Sequence, residues 1–311
     1  MRIGNVLAVV AAMALSTTAV AQQPGVWSGG PQHPVITLWP GGAPGPKTVT
    51  GPEGDTTKPD DKLIAGRPII KLANVAVPTL TMYAPQGLNT GAAVIVFPGG
   101  GYSILAIDLE GVEVCDWLTK KGITCLILKY RVPASGPYPK SAAALQDAQR
   151  AVGLVRAHAA DFKIDPKRVG VLGFSAGGHL AAAVSTHYSE RLYPAVDAAD
   201  QVSCRPDFAV VVYPGYLADA EKGFAFTPDI PVTKETPPTF LVQAEDDPVH
   251  VENTTAYFAA LKAAGVPTEM HVYAKGGHGY GLRRTELPVT TWPDRVDDWL
   301  KTVGILRGSG V

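Results

Sequence analysis

The chain has little of what marks several large classes of protein. Its 311 residues carry a formal net charge of −1 at pH 7, with no dense run of lysine and arginine. That excludes the electrostatic footprint of a nucleic-acid binder or of a protein held on an anionic membrane. Cysteine is scarce: Cys115, Cys125 and Cys204 are the whole set, and none has the C-x-x-C spacing of a zinc site. No cofactor or metal is expected. An odd count leaves the pairing open between one disulfide plus a thiol and three thiols, with Cys115 and Cys125 as candidate neighbours across a helix–strand junction. There is no internal repeat and no linker that would divide the chain.

Long apolar runs are also lacking, except near the start. Arg2 precedes an apolar stretch from Val6 to Leu15, and Ala19-Val20-Ala21 follows before Gln22. The run is shorter than the ~20 residues a membrane span needs. It reads as a signal peptide over residues 1–21 with an A-x-A cleavage site, and no twin-arginine pair points away from general secretion. The mature protein is expected to be periplasmic or secreted, with no stable membrane insertion.

What remains is ordinary globular composition, 46% hydrophobic and 18% charged. A mature length of about 290 residues suits a single α/β domain, here 22–311. Residues 22–68 are rich in glycine and proline and predict an extended wrapping segment with one strand near Val35 to Trp39. Beyond them, strands and helices alternate. TLTMYAP, AAVIVFP, ITCLILKY, RVGVLGF, FAVVVYP, PTFLVQAE and EMHVYAK read as strands. Leu109 to Lys121, Ser141 to Ala160, the stretch after Ser175, Asn253 to Ala264 and Val289 to Val303 read as helices. The continuous apolar runs and the alternation predict a mostly parallel sheet with helices on both faces.

The most informative stretch is VGVLGFSAGGHLAAA, Val169 to Ala183. A strand ends at Phe174, Ser175 follows, and a small-residue helix begins at once, with Gly173 and Gly177 two residues either side. This G-x-S-x-G pattern is that of a nucleophile elbow, which lifts the serine hydroxyl clear of the sheet. The next amide, Ala176 N–H, stands at a helix N-terminus, where it suits an oxyanion. Ligand groups of a parallel sheet collect at the carboxyl ends of its strands. Those ends carry Ser175, the pair Asp246–Asp247 in AEDDPVHVEN, His278 in KGGHGYGL and the triple glycine Gly99-Gly100-Gly101. A hydroxyl needs a base to become a nucleophile, histidine is that base near neutral pH, and a buried carboxylate orients the imidazole.

The stretches FPGGGYSILA, LKYRVP, LQDAQRAVGLVRAHA, IDPKRVGVLGFSAGGHLA, DDPVHVEN and GGHGYGL carry a family resemblance over about Leu80 to Leu300. The chain resembles the α/β-hydrolases of the carboxylesterase group, which include acetyl xylan esterase-like and hormone-sensitive-lipase-like enzymes. Its DDPVH run resembles the prolyl-oligopeptidase relatives. The resemblance implies Ser175 as nucleophile, His278 as base, and the N–H groups of Gly100, Gly101 and Ala176 as the oxyanion hole. For the acid it favours Asp246, which fits D-x-x-V, over Asp247.

Tyr102 and Tyr216 are candidate substrate contacts. His179 is expected to pack in its helix, His250 to make a backbone hydrogen bond, and Asp147 and Arg150 to form structural links. Only about two dozen residues separate FAVVVYP from PTFLVQAE, too few for a deep lid. The expectation is a secreted serine carboxylic-ester hydrolase acting on an acetylated carbohydrate such as xylan or its oligosaccharides. The alternatives are a general short-chain or lipase-like carboxylesterase, a small serine peptidase, or an inactive binding module.

Overall fold

The computed structural model describes residues 32–46, 49–134 and 136–306; the signal-peptide expectation for residues 1–21 lies outside them. Among the described residues, eight strands form the central sheet. They are β1 (Val35–Thr37), β2 (Thr79–Tyr83), β3 (Ala93–Phe97), β4 (Thr124–Lys129), β5 (Val169–Phe174), β6 (Ala209–Val212), β7 (Thr239–Ala244) and β8 (Thr268–Tyr273). Their spatial order is β1-β2-β4-β3-β5-β6-β7-β8. β1 and β2 run antiparallel at one edge, and every pair from β4 to β8 is parallel. This is the doubly wound sheet expected from the apolar runs. Strands β3 to β7 are buried along their whole length, whereas β8, at the free edge, is half-covered.

Among the described residues, five α-helices cover the sheet: α1 (Glu113–Lys120), α2 (Ala142–Ala157), α3 (Ala176–Val184), α4 (Glu252–Ala263) and α5 (Trp292–Thr302). One expectation is corrected. The stretch from Leu109 to Lys121 is not one helix: Asp108–Val112 forms a π-helical turn that leads into α1. Val112 N–H reaches back five residues to the carbonyl of Ile107 at 3.0 Å. A small three-stranded sheet built from Gly54–Asp55, Lys71–Ala73 and Ile104–Ala106 had no alternating pattern long enough to announce it.

The segment ahead of β2 is fastened to α2 by polar contacts. Asp147 accepts Trp39 Nε1–H at 2.8 Å and the main-chain and Nε N–H groups of Arg131 at about 3 Å. Arg150 donates to Asp197 and to the carbonyl of Leu38. Asp147 and Arg150 therefore hold the frame beneath the elbow.

Cys115 on α1 and Cys125 on β4 are joined in a disulfide, with Cα atoms 5.2 Å apart, and Cys204 is a buried thiol. The bridge closes a loop with a sequence separation of 10. Replacing both cysteines by serine should cost about 2–3 kcal/mol through the freed unfolded chain. A thermal melt with and without reductant checks this: the wild-type midpoint should fall to that of the double variant, and an unchanged midpoint refutes it.

Candidate active site

The turn from β5 into α3 is shaped by steric need. Ser175 has φ 53° and ψ −118°, a conformation that side-chain-bearing residues seldom adopt. It is held there from several sides. Ser175 N–H donates to the carbonyl of Val212 on β6 at 3.0 Å, and the Ser175 carbonyl receives His179 N–H. A Cβ on Gly173 would stand 1.9 Å from the carbonyl oxygen of Gly177, and one on Gly177 would stand 2.0 Å from that of Phe97. Both glycines are thus demanded by backbone on backbone contact.

The loop after β3 lies against this turn. A Cβ on Gly99 would meet Ser175 Cβ at 2.9 Å, and one on Gly100 would meet the Ile104 carbonyl oxygen at 2.2 Å. Gly100 and Gly101 have φ of 129° and 62°, and the Gly100 carbonyl accepts both Ser103 N–H and Ile104 N–H. The result is a tight glycine turn beside the serine, with the N-terminus of α3 on its other side.

His278, in the loop after β8, places Nε2 2.9 Å from Ser175 Oγ. Its Nδ1–H is shared by the two oxygens of Asp247, at 2.8 and 3.0 Å. This corrects the expectation for the acid: the imidazole meets Asp247, not Asp246. The reason is the turn that ends β7, where Asp247 N–H folds back toward the carbonyl of Ala244 and carries the Asp247 side chain inward. There its carboxylate is fully buried and also accepts Val249 N–H at 2.7 Å and Gln243 Nε2–H at 2.9 Å. Asp246 points to the surface. Its Oδ1 accepts the N–H groups of Gly276 and Gly277, both at 2.8 Å, and these bonds hold its carboxyl below the usual range. Asp246 therefore ties down the loop that carries His278.

Tyr102 is corrected too. It is fully buried, and its hydroxyl bonds to His179 Nδ1 at 2.7 Å, so it has no free face for a substrate. Burial pushes His179 down to about 3, which keeps the ring neutral. Tyr216 stacks over Tyr102 with ring centroids 6.1 Å apart and remains 39% exposed beside the glycine turn. His250 is exposed; its N–H donates to the Asp247 carbonyl and its ring tilts against Phe224. Two supporting residues escaped the sequence reading. Gln243 sits in the apolar run PTFLVQAE, where a lone buried amide was the available signal, and Glu110 falls on the inward face of the stretch read as one helix.

Comparison with known proteins adds a family to this geometry. The family model described as "Prolyl oligopeptidase family" matches residues 143–303, which include Ser175, Asp247 and His278. The chain belongs to the prolyl oligopeptidase family. Within that setting it is 31% identical over 229 residues to an acetylxylan esterase of Xylanibacter ruminicola, covering 69% of this chain and 45% of the relative. It is 28% identical to endo-1,4-beta-xylanase B of Butyrivibrio fibrisolvens, covering 68% of this chain and 36% of the relative. The chain thus spans less than half the length of these curated relatives. Among solved structures, an acetyl ester-xyloside bifunctional hydrolase from Caldicellulosiruptor lactoaceticus superposes with a TM-score of 0.68 at 35% identity. That match covers 88% of this chain and 97% of the other. The architecture is the α/β-hydrolase fold.

Proposed function

We propose that this member of the prolyl oligopeptidase family is a serine carboxylic-ester hydrolase that removes acetyl groups from a carbohydrate such as acetylated xylan or its oligosaccharides. The observation that carries the chemistry is the unbroken hydrogen-bond line Ser175–His278–Asp247. His278 takes the Ser175 proton as Oγ attacks the ester carbonyl. The oxyanion forms between the N–H groups of Gly100, Gly101 and Ala176. As the ester C–O bond breaks, His278 protonates the departing sugar oxygen. A water deprotonated by the same imidazole then attacks the acyl-enzyme, releasing acetate as His278 returns the proton to Ser175 Oγ. Asp247 holds the tautomer with Nε2 facing the serine and stabilises the imidazolium.

The substrate class is supported by two features. By their names, one curated relative is an acetylxylan esterase, the other a xylanase, and the solved structure a hydrolase of acetyl esters and xylosides. Ser175 is also partly exposed, beneath a small cap. Between β6 and β7 lies a small two-stranded ribbon, Ala218–Asp219 with Ala225–Phe226, joined by the 3₁₀ turn Ala220–Lys222 and pinned to α4 where Asn253 accepts the N–H groups of Leu217 and Ala218. So small a cap leaves room for a bulky polar alcohol beside a short acyl group. Export is part of the same proposal: residues 1–21 read as a leader, and the Cys115–Cys125 disulfide suits an oxidising compartment.

The test compares acetate release from acetylated xylo-oligosaccharides with hydrolysis of aryl esters of increasing chain length and of a prolyl-peptide anilide. The acetyl sugar and aryl acetate should be turned over at least about tenfold faster than a C8 aryl ester, since a longer chain gains little from a shallow site. A preference for C8 esters or for the anilide would refute the proposal.

A further inference from the structure

Beneath Ser175 lies a carboxylate that the acyl-transfer scheme does not use. Glu110 sits in the π-helical turn Asp108–Val112 and is 4% exposed. Its Oε2 accepts Gly99 N–H at 2.7 Å, and its Oε1 accepts the Tyr213 hydroxyl at 2.8 Å. The same hydroxyl oxygen accepts Gly281 N–H at 3.1 Å. A bridge therefore runs from the first glycine of the loop after β3 to the loop after β8, three residues beyond His278. Tyr213 also sets its ring against the imidazole of His278, with centroids 5.0 Å apart. A Cβ on Gly99 would lie 2.7 Å from Glu110 Oε2 and 2.9 Å from Ser175 Cβ, so carboxylate and nucleophile flank one backbone atom.

Burying a carboxylate is unfavourable unless donors compensate. Burial pushes the Glu110 carboxyl up, while the Tyr213 hydroxyl and Gly99 amide draw it back down. Besides Tyr213, the groups facing it are His278 from the loop after β8, Tyr130 beyond β4, and Asp108 on its own turn. The wide turn that aims Glu110 inward is itself clamped to the His278 side. Leu109 fills the space where a Cβ on Gly281 would stand, 2.6 Å from Leu109 Cδ1. Arg283 donates to Asp108 at 3.2 Å and to Glu113 at 2.8 Å. π-turns inside helices recur at functional sites because the extra residue redirects a side chain.

We propose that Glu110, acting through Gly99 and Tyr213, is a positioning residue that holds the oxyanion loop and the His278 loop in one frame around Ser175. It makes no contact with the ester, and the proposal rests on the reading of Ser175 as nucleophile and His278 as base. The ground-state complex does not depend on the alignment of these loops, but the tetrahedral transition state does. Loss of the bridge therefore falls on kcat.

The experiment measures kcat and KM for aryl acetate hydrolysis by Glu110→Gln, Tyr213→Phe and the double variant, at a temperature where circular dichroism shows each to be folded. A glutamine offers one oxygen in place of two. With that oxygen on Gly99 N–H, its N–H₂ meets a Tyr213 oxygen already taken by Gly281 N–H, and the tyrosine proton loses its acceptor; turned the other way, its N–H₂ faces Gly99 N–H. Each single variant should lower kcat by about 10- to 100-fold with KM within about threefold, the scale expected of loosened alignment. The double variant should be no worse than Glu110→Gln, since both break one chain. Wild-type kcat in the folded single variants, a change confined to KM, or losses that multiply in the double variant would each overturn the proposal. Should Glu110→Gln fail to fold, Tyr213→Phe, which keeps the ring, decides by itself on the same criteria. Ser175→Ala separates the two readings: activity that survives it defeats the acyl-enzyme scheme. An inert Ser175→Ala beside a fully active Glu110→Gln defeats this proposal alone.

Discussion

Replacing Ser175 by alanine should lower ester turnover by about 10⁴- to 10⁶-fold, the range that loss of a triad nucleophile produces. The change removes Oγ, the atom 2.9 Å from His278 Nε2, and little else. Alanine bears the same φ of 53° at the same cost as serine, because the strain arises at Cβ and not at the hydroxyl. The fold should be retained, since Ser175 N–H and its carbonyl keep their partners on β6 and α3. What survives is the weak catalysis of the oxyanion donors acting on an unassisted water. The measurement is aryl acetate hydrolysis with a thermal melt alongside, and labelling by an organophosphonate that reacts once with wild type. A variant that still takes up the label, or that keeps more than about one per cent of the turnover, would remove Ser175 from the mechanism.

The legibility of this site varies with how local its causes are. The elbow could be read from five residues because its glycines are excluded from being anything else: Gly173 and Gly177 meet backbone oxygens within 2 Å or so of any added carbon. The strands could be read because a parallel strand covered on both faces must be apolar throughout, as Ala93–Phe97 and Ala209–Val212 are. Other features depend on chain that lies far off in sequence. A helical pattern from Leu109 onward gives no sign of the π-turn, which is shaped by Gly281 and Arg283 more than 150 residues away. Tyr102 looked like a binding aromatic beside the glycine loop. Its hydroxyl is instead consumed by His179, 77 residues later. Glu110 stood out to no motif, since a carboxylate buried by tertiary contact looks in sequence like one on a solvated face.

The pair Asp246–Asp247 is where motif and geometry part, and substitution by asparagine should separate them by orders of magnitude. Asp246→Asn keeps a carbonyl oxygen for the N–H groups of Gly276 and Gly277, so the His278 loop stays tied and turnover should remain within about tenfold of wild type. Asp247→Asn has no such escape. The Asp247 carboxylate is surrounded by donors: Val249 N–H on Oδ1, Gln243 Nε2–H on Oδ2 and the His278 Nδ1–H between them. Gln243 does not turn to accept instead, because its Nε2–H₂ also serves the His250 carbonyl at 3.2 Å, which can only accept, while its Oε1 takes the Thr254 hydroxyl at 2.6 Å. An asparagine amide must therefore set its N–H₂ against a donor or rotate it toward the imidazole, which then presents a lone pair at Nδ1 and a proton at Nε2. In that tautomer the nitrogen facing Ser175 cannot accept its proton. A fall of about 10³- to 10⁴-fold in kcat follows, with KM little changed and the thermal midpoint lowered by the unsatisfied buried donor. Steady-state kinetics on the two variants decide the assignment: a crippled Asp246→Asn beside an active Asp247→Asn would return the acid to Asp246, against the geometry.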